Sequence, residues 1–380
     1  MIIAIYTRQL PKIAVNGYQY DTIRYFIQLA EKQPAHQFII IGEKKHARAD
    51  GTVKNIQWVI LPEIKSLLRW KLFQKFQLPA ILKKNNIDLL INTNSLCCET
   101  AIPQILYNPD LFDLIEAGMM PQNHKQFLQK QLPVSFIKAK GIFTNTQVSK
   151  NKIAADYKIA TDKITVVPDG AAERIPEPDY NAKVQVRELY AQGKEYFLYV
   201  GYTGEQSNLI HLLKAFSIFK KRQKSNMQLL IVAEDAATEN HFTDNLKTYK
   251  FKSDVNVISD AKPDAVSNIR AAAYAFIAPA LHDTHLIEAI NAVSNKVPVV
   301  VDSRAEVQEL FGNAALYADM GKFEDIAEKM MQLFKDEQLR NKCIDIGLEQ
   351  IKQHDNKNAV DLLWQSIIRI FNETGTKKLS

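Results

Sequence analysis

An α/β protein made of two doubly wound parallel sheets is what this sequence predicts, and three observations carry the prediction. Short apolar runs rich in Ile, Val, Leu and aromatic residues alternate with longer amphipathic segments, the pattern of strand-helix-strand units. At 380 residues the chain exceeds the size at which one hydrophobic core stops growing, so two domains are expected. Between two such series lies Pro168-Asp-Gly-Ala-Ala-Glu-Arg-Ile-Pro-Glu-Pro178, whose three prolines and glycine read as a linker.

The first series places strands at Met1–Thr7, Gln37–Gly42, Gln57–Leu61, Asp88–Asn92, Gln104–Tyr107, Gly141–Asn145 and Ile164–Pro168. A second follows at Phe197–Gly201, Gln228–Ala233, Val255–Ser259, Ala275–Ala278 and Val297–Val301. After Phe323 the periodicity is helical as far as Thr374, with no further strand. Domains are therefore expected over 1–168 and 169–356, the linker spanning 168–178.

Composition narrows the function classes. A chain 46% hydrophobic and 24% charged buries a full core. Its net charge of +6, from 48 basic and 42 acidic residues, is too mild to argue for nucleic acid as a partner. Met1–Thr7 is too short for a signal-peptide core, and no run of about 18 apolar residues predicts a membrane span. Cys97, Cys98 and Cys343 lack metal-ligand spacing and read as reduced, apolar filler in a cytoplasmic protein. There is no Gly-rich dinucleotide fingerprint, Walker lysine loop or zinc spacing, so neither a cofactor nor a metal is expected. The stretch from Ile64 to Ile87 has no acid but carries Lys65, Arg69, Lys71, Lys75, Lys83 and Lys84 among Leu, Trp and Phe residues. Either its apolar residues pack beneath the first domain with the lysines outward, or 64–84 makes a peripheral contact with anionic lipid at the inner face of a membrane.

Several motifs carry a resemblance. Tyr196-Phe-Leu-Tyr-Val-Gly-Tyr-Thr-Gly-Glu-Gln-Ser-Asn-Leu-Ile-His-Leu-Leu-Lys-Ala-Phe216 and Pro279-Ala-Leu-His-Asp-Thr-His-Leu-Ile-Glu-Ala-Ile-Asn-Ala-Val-Ser-Asn-Lys-Val-Pro-Val-Val300 resemble the donor half of glycosyltransferase family four, the group 1 glycosyl transferases. Ser303–Ala315 is similar to that family's S-x-x-x-E-x-x-G-x-A-A pattern, and Lys163-Ile-Thr-Val-Val-Pro-Asp-Gly170 to its inter-domain K-I-x-V-x-P-x-G. Met1–Thr7 with Arg8 and Gly17, and Gly141–Lys150, resemble its N-terminal half more loosely. The resemblance implies a GT-B fold, two Rossmann-like domains facing across a cleft. It also implies a last helix, 357–374, that returns to the first domain through Leu362, Leu363, Ile367, Ile368 and Phe371. The substrates implied are a nucleotide sugar, a nucleoside diphosphate bearing a hexose, and a glycan or lipid-linked acceptor. Polysaccharide biosynthesis by hexosyl transfer with retention is the implied activity.

Departures from the family pattern are concentrated in charged positions. Gln206 and Ser207 stand where Arg and Lys hold the donor diphosphate; they donate hydrogen bonds without neutralising charge, and stabilising a departing diphosphate is what such a site must do. Anchoring on Pro298 puts Asp283 and Asn291 at the paired glutamates, Thr284 and His285 near the phosphate-facing glycines, and Lys296 at the motif's last glycine. Asp283 and Asp110 are the candidate catalytic acids. Gly17, Gly201, Thr203, Gln206, Ser207, Thr284, His285, Glu288 and Asn291 are the candidate donor-binding residues. Five of them have a plainer explanation: Asp283 or Thr284 as a helix cap, Asp110 after Pro109 as a turn residue, Gly17 as a turn, Glu288 as an exposed helix acid. An amide at Asn291 still accepts a ribose hydroxyl but without the strength of a carboxylate. Two functions follow: a hexosyltransferase, or a non-catalytic homologue serving as partner, chaperone or sugar-binding module.

Overall fold

The computed structural model describes residues 1–8, 16–43, 53–107, 121–168, 179–204, 207–233, 241–259, 261–280, 286–350, 352 and 356–376. The chain divides into two compact units, Met1–Gly170 with Lys357–Ser380, and Ala171–Asn356.

In the first unit, β1 (Ile2–Tyr6), β2 (Gln37–Gly42), β3 (Ile56–Ile60), β4 (Leu89–Asn92), β5 (Gln104–Tyr107), β6 (Gly141–Thr144) and β7 (Ile164–Val166) form one parallel sheet in the order β3-β2-β1-β4-β5-β6-β7. Side-chain alternation along each strand splits the core in two. Ile3, Ile5, Phe38, Ile40, Leu89 and Ile91 pack into one layer, and Ala4, Tyr6, Ile39, Ile41 and Leu90 into the other. Both faces are covered, which is why these strands read as unbroken apolar runs. Connections lead from β1 to neighbours on either side, so the strand order reverses between β1 and β4, the switch point at which such sheets take ligands.

The second unit repeats the scheme. β8 (Tyr196–Gly201), β9 (Gln228–Ala233), β10 (Val255–Ser259), β11 (Ala275–Ile277), β12 (Val299–Asp302) and β13 (Ala315–Ala318) lie parallel in the order β10-β9-β8-β11-β12-β13, with the reversal between β8 and β11. Tyr196, Leu198 and Val200 face one core layer, Phe197 and Tyr199 the other. β13 was not expected. Its Ala-Leu-Tyr-Ala sequence has no β-branched residue, and its pairing with β12 from Val299↔Ala315 to Asp302↔Ala318 decides its conformation instead.

The helix Asn356–Thr376 packs on the first unit, through a face that overlaps the expected one at Leu363 and Ile367 and differs from it elsewhere. Ala359, Val360, Leu363, Ile367 and Ile370 enter the core; Leu362 is exposed, and Ile368 and Phe371 are half-buried. Asp361 bonds Lys32 at 2.8 Å, and the Trp364 ring lies 4.8 Å from that of His36. Gly141 makes the close approach possible, because a Cβ there would collide with Cδ1 of Ile370.

The basic stretch after β3 is also divided. Leu67–Leu72, a π-helical turn Phe73–Gln77, and Leu78–Lys84 follow one another, with Ser66 capping the start through its hydroxyl, 3.2 Å from the Arg69 N–H. Trp70, Phe73, Leu78 and Leu82 are buried as the packing expectation requires, whereas Leu68, Leu72 and Phe76 are exposed against it.

Candidate functional site

The carboxyl edge of the second sheet is tied together by one amide. β8 ends at Gly201 with φ 150°, an angle that side chains disfavour, and the Tyr199 hydroxyl donates to the Tyr202 carbonyl at 2.7 Å to hold the turn. Thr203 and Ser207 are each 1% exposed. The Ser207 hydroxyl and its N–H both donate to the Gly204 carbonyl, at 2.6 and 3.0 Å, so this side chain closes the loop locally. Asn208 then opens the helix Leu209–Gln223 in the left-handed conformation, φ 56° and ψ 27°, which asparagine tolerates better than most residues. Its side chain does not cap the helix. Nδ2 instead donates to the carbonyls of Pro279 at 2.9 Å and Met320 at 2.7 Å. Pro279 follows β11 and Met320 follows β13, so the loops after three strands meet at Asn208. His211 Nδ1 lies 3.2 Å from the same Met320 carbonyl.

The helix Leu286–Ser294 carries two of the predicted residues into a polar chain inside the core. Arg270, 6% exposed, donates from Nε at 3.1 Å and Nη2 at 2.6 Å to Glu288 Oε2. Glu288 Oε1 accepts from Asn291 Nδ2 at 3.2 Å. Glu288 is therefore no exposed helix acid: a neighbouring element supplies a forked cation for it. The helix ends in a Schellman turn, with Val297 N–H on the Ala292 carbonyl and Lys296 N–H on that of Val293, each at 3.0 Å. Lys296 there adopts φ 62°. Lys296→Gly is expected to raise stability by about 0.5 to 1 kcal/mol, the left-handed penalty less the entropy of a glycine in the unfolded chain. Denaturant unfolding checks it, and a lower midpoint would contradict the turn geometry.

Gln206, Asp283, Thr284, His285 and Asp110 lie outside the described residues. Asn16 and Gly17 begin the helix Asn16–Lys32, so Gly17 stands in a first helical turn and not in a loop. Lys214 Nζ sits 5.2 Å from the centre of the Phe323 ring. The sequence reading overlooked a polar rim on the carboxyl edge of the first sheet. Thr7 and Arg8 after β1, Thr93, Asn94 and Ser95 after β4, and Asn145 and Thr146 after β6 are all buried. Asn94 Nδ2 donates to the Arg8 carbonyl at 3.1 Å, and the Arg8 guanidinium pairs with Glu43 at 2.8 Å while lying 4.5 Å over Phe73. The signal for this rim was available, since each of these apolar strands ends in two to four consecutive polar residues.

Burial pushes the Cys97 and Cys98 thiols up to about 12, so neither supplies a thiolate at neutral pH. Among the described residues no group of three or more His, Cys, Asp or Glu is placed to hold a metal ion.

Two parallel sheets with reversed strand order, each with its ligand-type edge, define a GT-B fold. Residues 183–350 match the Glycosyl transferases group 1 family. It is 23% identical to the O-antigen chain mannosyltransferase B of Escherichia coli over 63% of this chain and 63% of that protein, so it spans under two thirds of that relative's length. Among solved structures, the sucrose-phosphate synthase of Thermosynechococcus elongatus superposes with a TM-score of 0.77 at 12% identity, covering 98% of this chain and all 100% of the other. Anabaena Alr3699/HepE, solved in complex with UDP and glucose, gives 0.72 at 11% identity over 96% and 98%.

Proposed function

We propose that this protein is a retaining hexosyltransferase that moves a sugar from a nucleoside diphosphate donor to a glycan or lipid-linked acceptor in polysaccharide synthesis. The observation that carries the reading is the convergence of three carboxyl-edge loops on Asn208 beside the β8/β11 switch point, inside the segment matched by the family. The left-handed turn at Lys296 falls where the family pattern has its glycine, which supports the register placing Asn291 at the ribose-binding acid and Asp283 at the first. In this reading Asn291, its Nδ2 given to Glu288, turns its carbonyl oxygen to the ribose hydroxyls. Gly201 and Thr203 line the diphosphate side, with Gln206, Thr284 and His285 around the phosphates. Asp283 and Asp110 are the proposed catalytic acids, and the first sheet's polar rim is the proposed place for acceptor hydroxyls. Mannose is the first hexose to try, given the relative's activity. Ser207, whose hydroxyl is spent on Gly204, and Glu288, neutralised by Arg270, favour the second reading to the extent that they leave the donor few ligands.

Calorimetric titration with UDP-, GDP- and ADP-sugars separates the two. One donor is expected to bind and turn over, and Asp283→Asn to lower turnover about a hundredfold or more at unchanged melting temperature, since asparagine caps a helix as well as aspartate does. Silence with every donor would favour the non-catalytic homologue, and an Asp283→Asn variant at full rate would remove that residue from the mechanism.

A further inference from the structure

The first unit carries a surface outside the residues assigned above to sugar transfer. On the outer side of the helical segment 67–84, Leu68, Leu72 and Phe76 are 69%, 49% and 60% exposed. They recur every four residues and so form one ridge. Exposed beside them are Lys65, Arg69, Lys71, Lys75, Lys83 and Lys84, with no acid from Ile64 to Ile87. The neighbouring helix Gln122–Lys138 touches this segment through Phe127, edge-on to Trp70 at 6.0 Å and 4.2 Å below Lys71 Nζ. That helix adds Lys125, Lys130 and Lys138, again with no acid. These nine cations outnumber the net charge of +6 borne by all 380 residues, so the rest of the chain is net negative. Among the described residues, acids outside the segments meet only two of them, Glu63 at 3.7 Å from Lys65 and Glu99 at 3.1 Å from Lys138.

The combination selects one kind of partner. A nucleic acid would satisfy the cations and leave three large apolar side chains in water. A second copy of this chain would set like charges against each other. An anionic bilayer takes both, with apolar side chains at the acyl boundary and lysine and arginine heads among the phosphates.

We propose that the outer face of residues 65–84 is a docking surface for anionic phospholipid bilayers, with Leu68, Leu72 and Phe76 inserted and Lys65, Arg69 and Lys75 against the headgroups. Docking is independent of which sugar the protein moves.

Co-sedimentation of the full chain with vesicles tests it, using phosphatidylcholine alone or with about 30% phosphatidylglycerol. Wild type is expected to pellet with the anionic vesicles only, and to leave them as salt rises from about 0.1 M to about 0.5 M. Lys65→Gln, Arg69→Gln and Lys75→Gln together should weaken binding about a hundredfold, each cation contributing about tenfold or less at such a surface. Leu68→Ser, Leu72→Ser and Phe76→Ser together should weaken it at least about tenfold through lost apolar burial. All six positions are exposed, so both variants should melt with wild type. As a second measurement, Phe76→Trp fluorescence should shift to the blue on adding anionic vesicles. Wild type remaining in the supernatant, either triple variant pelleting like wild type, or capture by RNA without capture by vesicles would overturn the proposal.

Discussion

Asn208→Ala is expected to lower the stability of the second unit by about 3 kcal/mol. Two carbonyls, of Pro279 and Met320, lose their shared donor, each such loss costing about 1 to 3 kcal/mol when the group stays buried. Alanine at φ 56° adds about 1 kcal/mol of left-handed strain. Asn208→Gly separates the contributions, because glycine relieves the backbone without restoring either hydrogen bond. Urea unfolding of the full chain should show Asn208→Ala lowest and Asn208→Gly between it and wild type. Equal midpoints for all three would mean the loops after β8, β11 and β13 are held by something other than this amide.

The second large effect is expected at Arg270. Arg270→Ala leaves the Glu288 carboxylate, 19% exposed, with only the Asn291 amide as a partner among the described residues, and breaking such a pair costs about 3 to 5 kcal/mol. Most of that is a penalty for an orphaned charge, not the worth of the ion pair. Arg270→Met combined with Glu288→Leu should therefore recover most of the loss, since an apolar pair of similar volume needs no counter-ion. A double variant as unstable as Arg270→Ala would show that the packing of the guanidinium, and not its charge, is what the core needs. The same variants bear on ligand binding: if Asn291 meets the ribose, Glu288→Leu removes the carboxylate that its Nδ2 donates to and should weaken nucleotide binding without abolishing it.

Why the architecture was legible and much of the site was not has a physical basis. Parallel strands buried on both faces announce themselves as apolar runs, and twelve of the strands follow from that pattern alone. β13 escaped because its conformation comes from a neighbour and not from its own residues. The final helix was found, but its buried stripe was misplaced because Leu362 and Ile368 are as apolar as the residues that do enter the core. At the site, the motif contains Asn208 but does not reveal what its side chain does, because the carbonyls it binds lie 71 and 112 residues away. Arg270 gave no local signal at all. Its partner stands 18 residues on, across a strand, and only the folded sheet brings the two together.

The return of the last helix to the first unit makes the second unit, in chain order, an insertion within the first. Ala359, Val360, Leu363, Ile367 and Ile370 fill a core whose other members, from Ile3 to Val167, leave the ribosome long before them. Residues 171–356 form a compact unit from one continuous span and can complete their sheet as they emerge, while the earlier-made half waits with one face uncovered. The order of synthesis is thus the reverse of the order of completion. The slow step of maturation is expected to be the closing of the N-terminal core, by contacts of the longest sequence separation in the molecule.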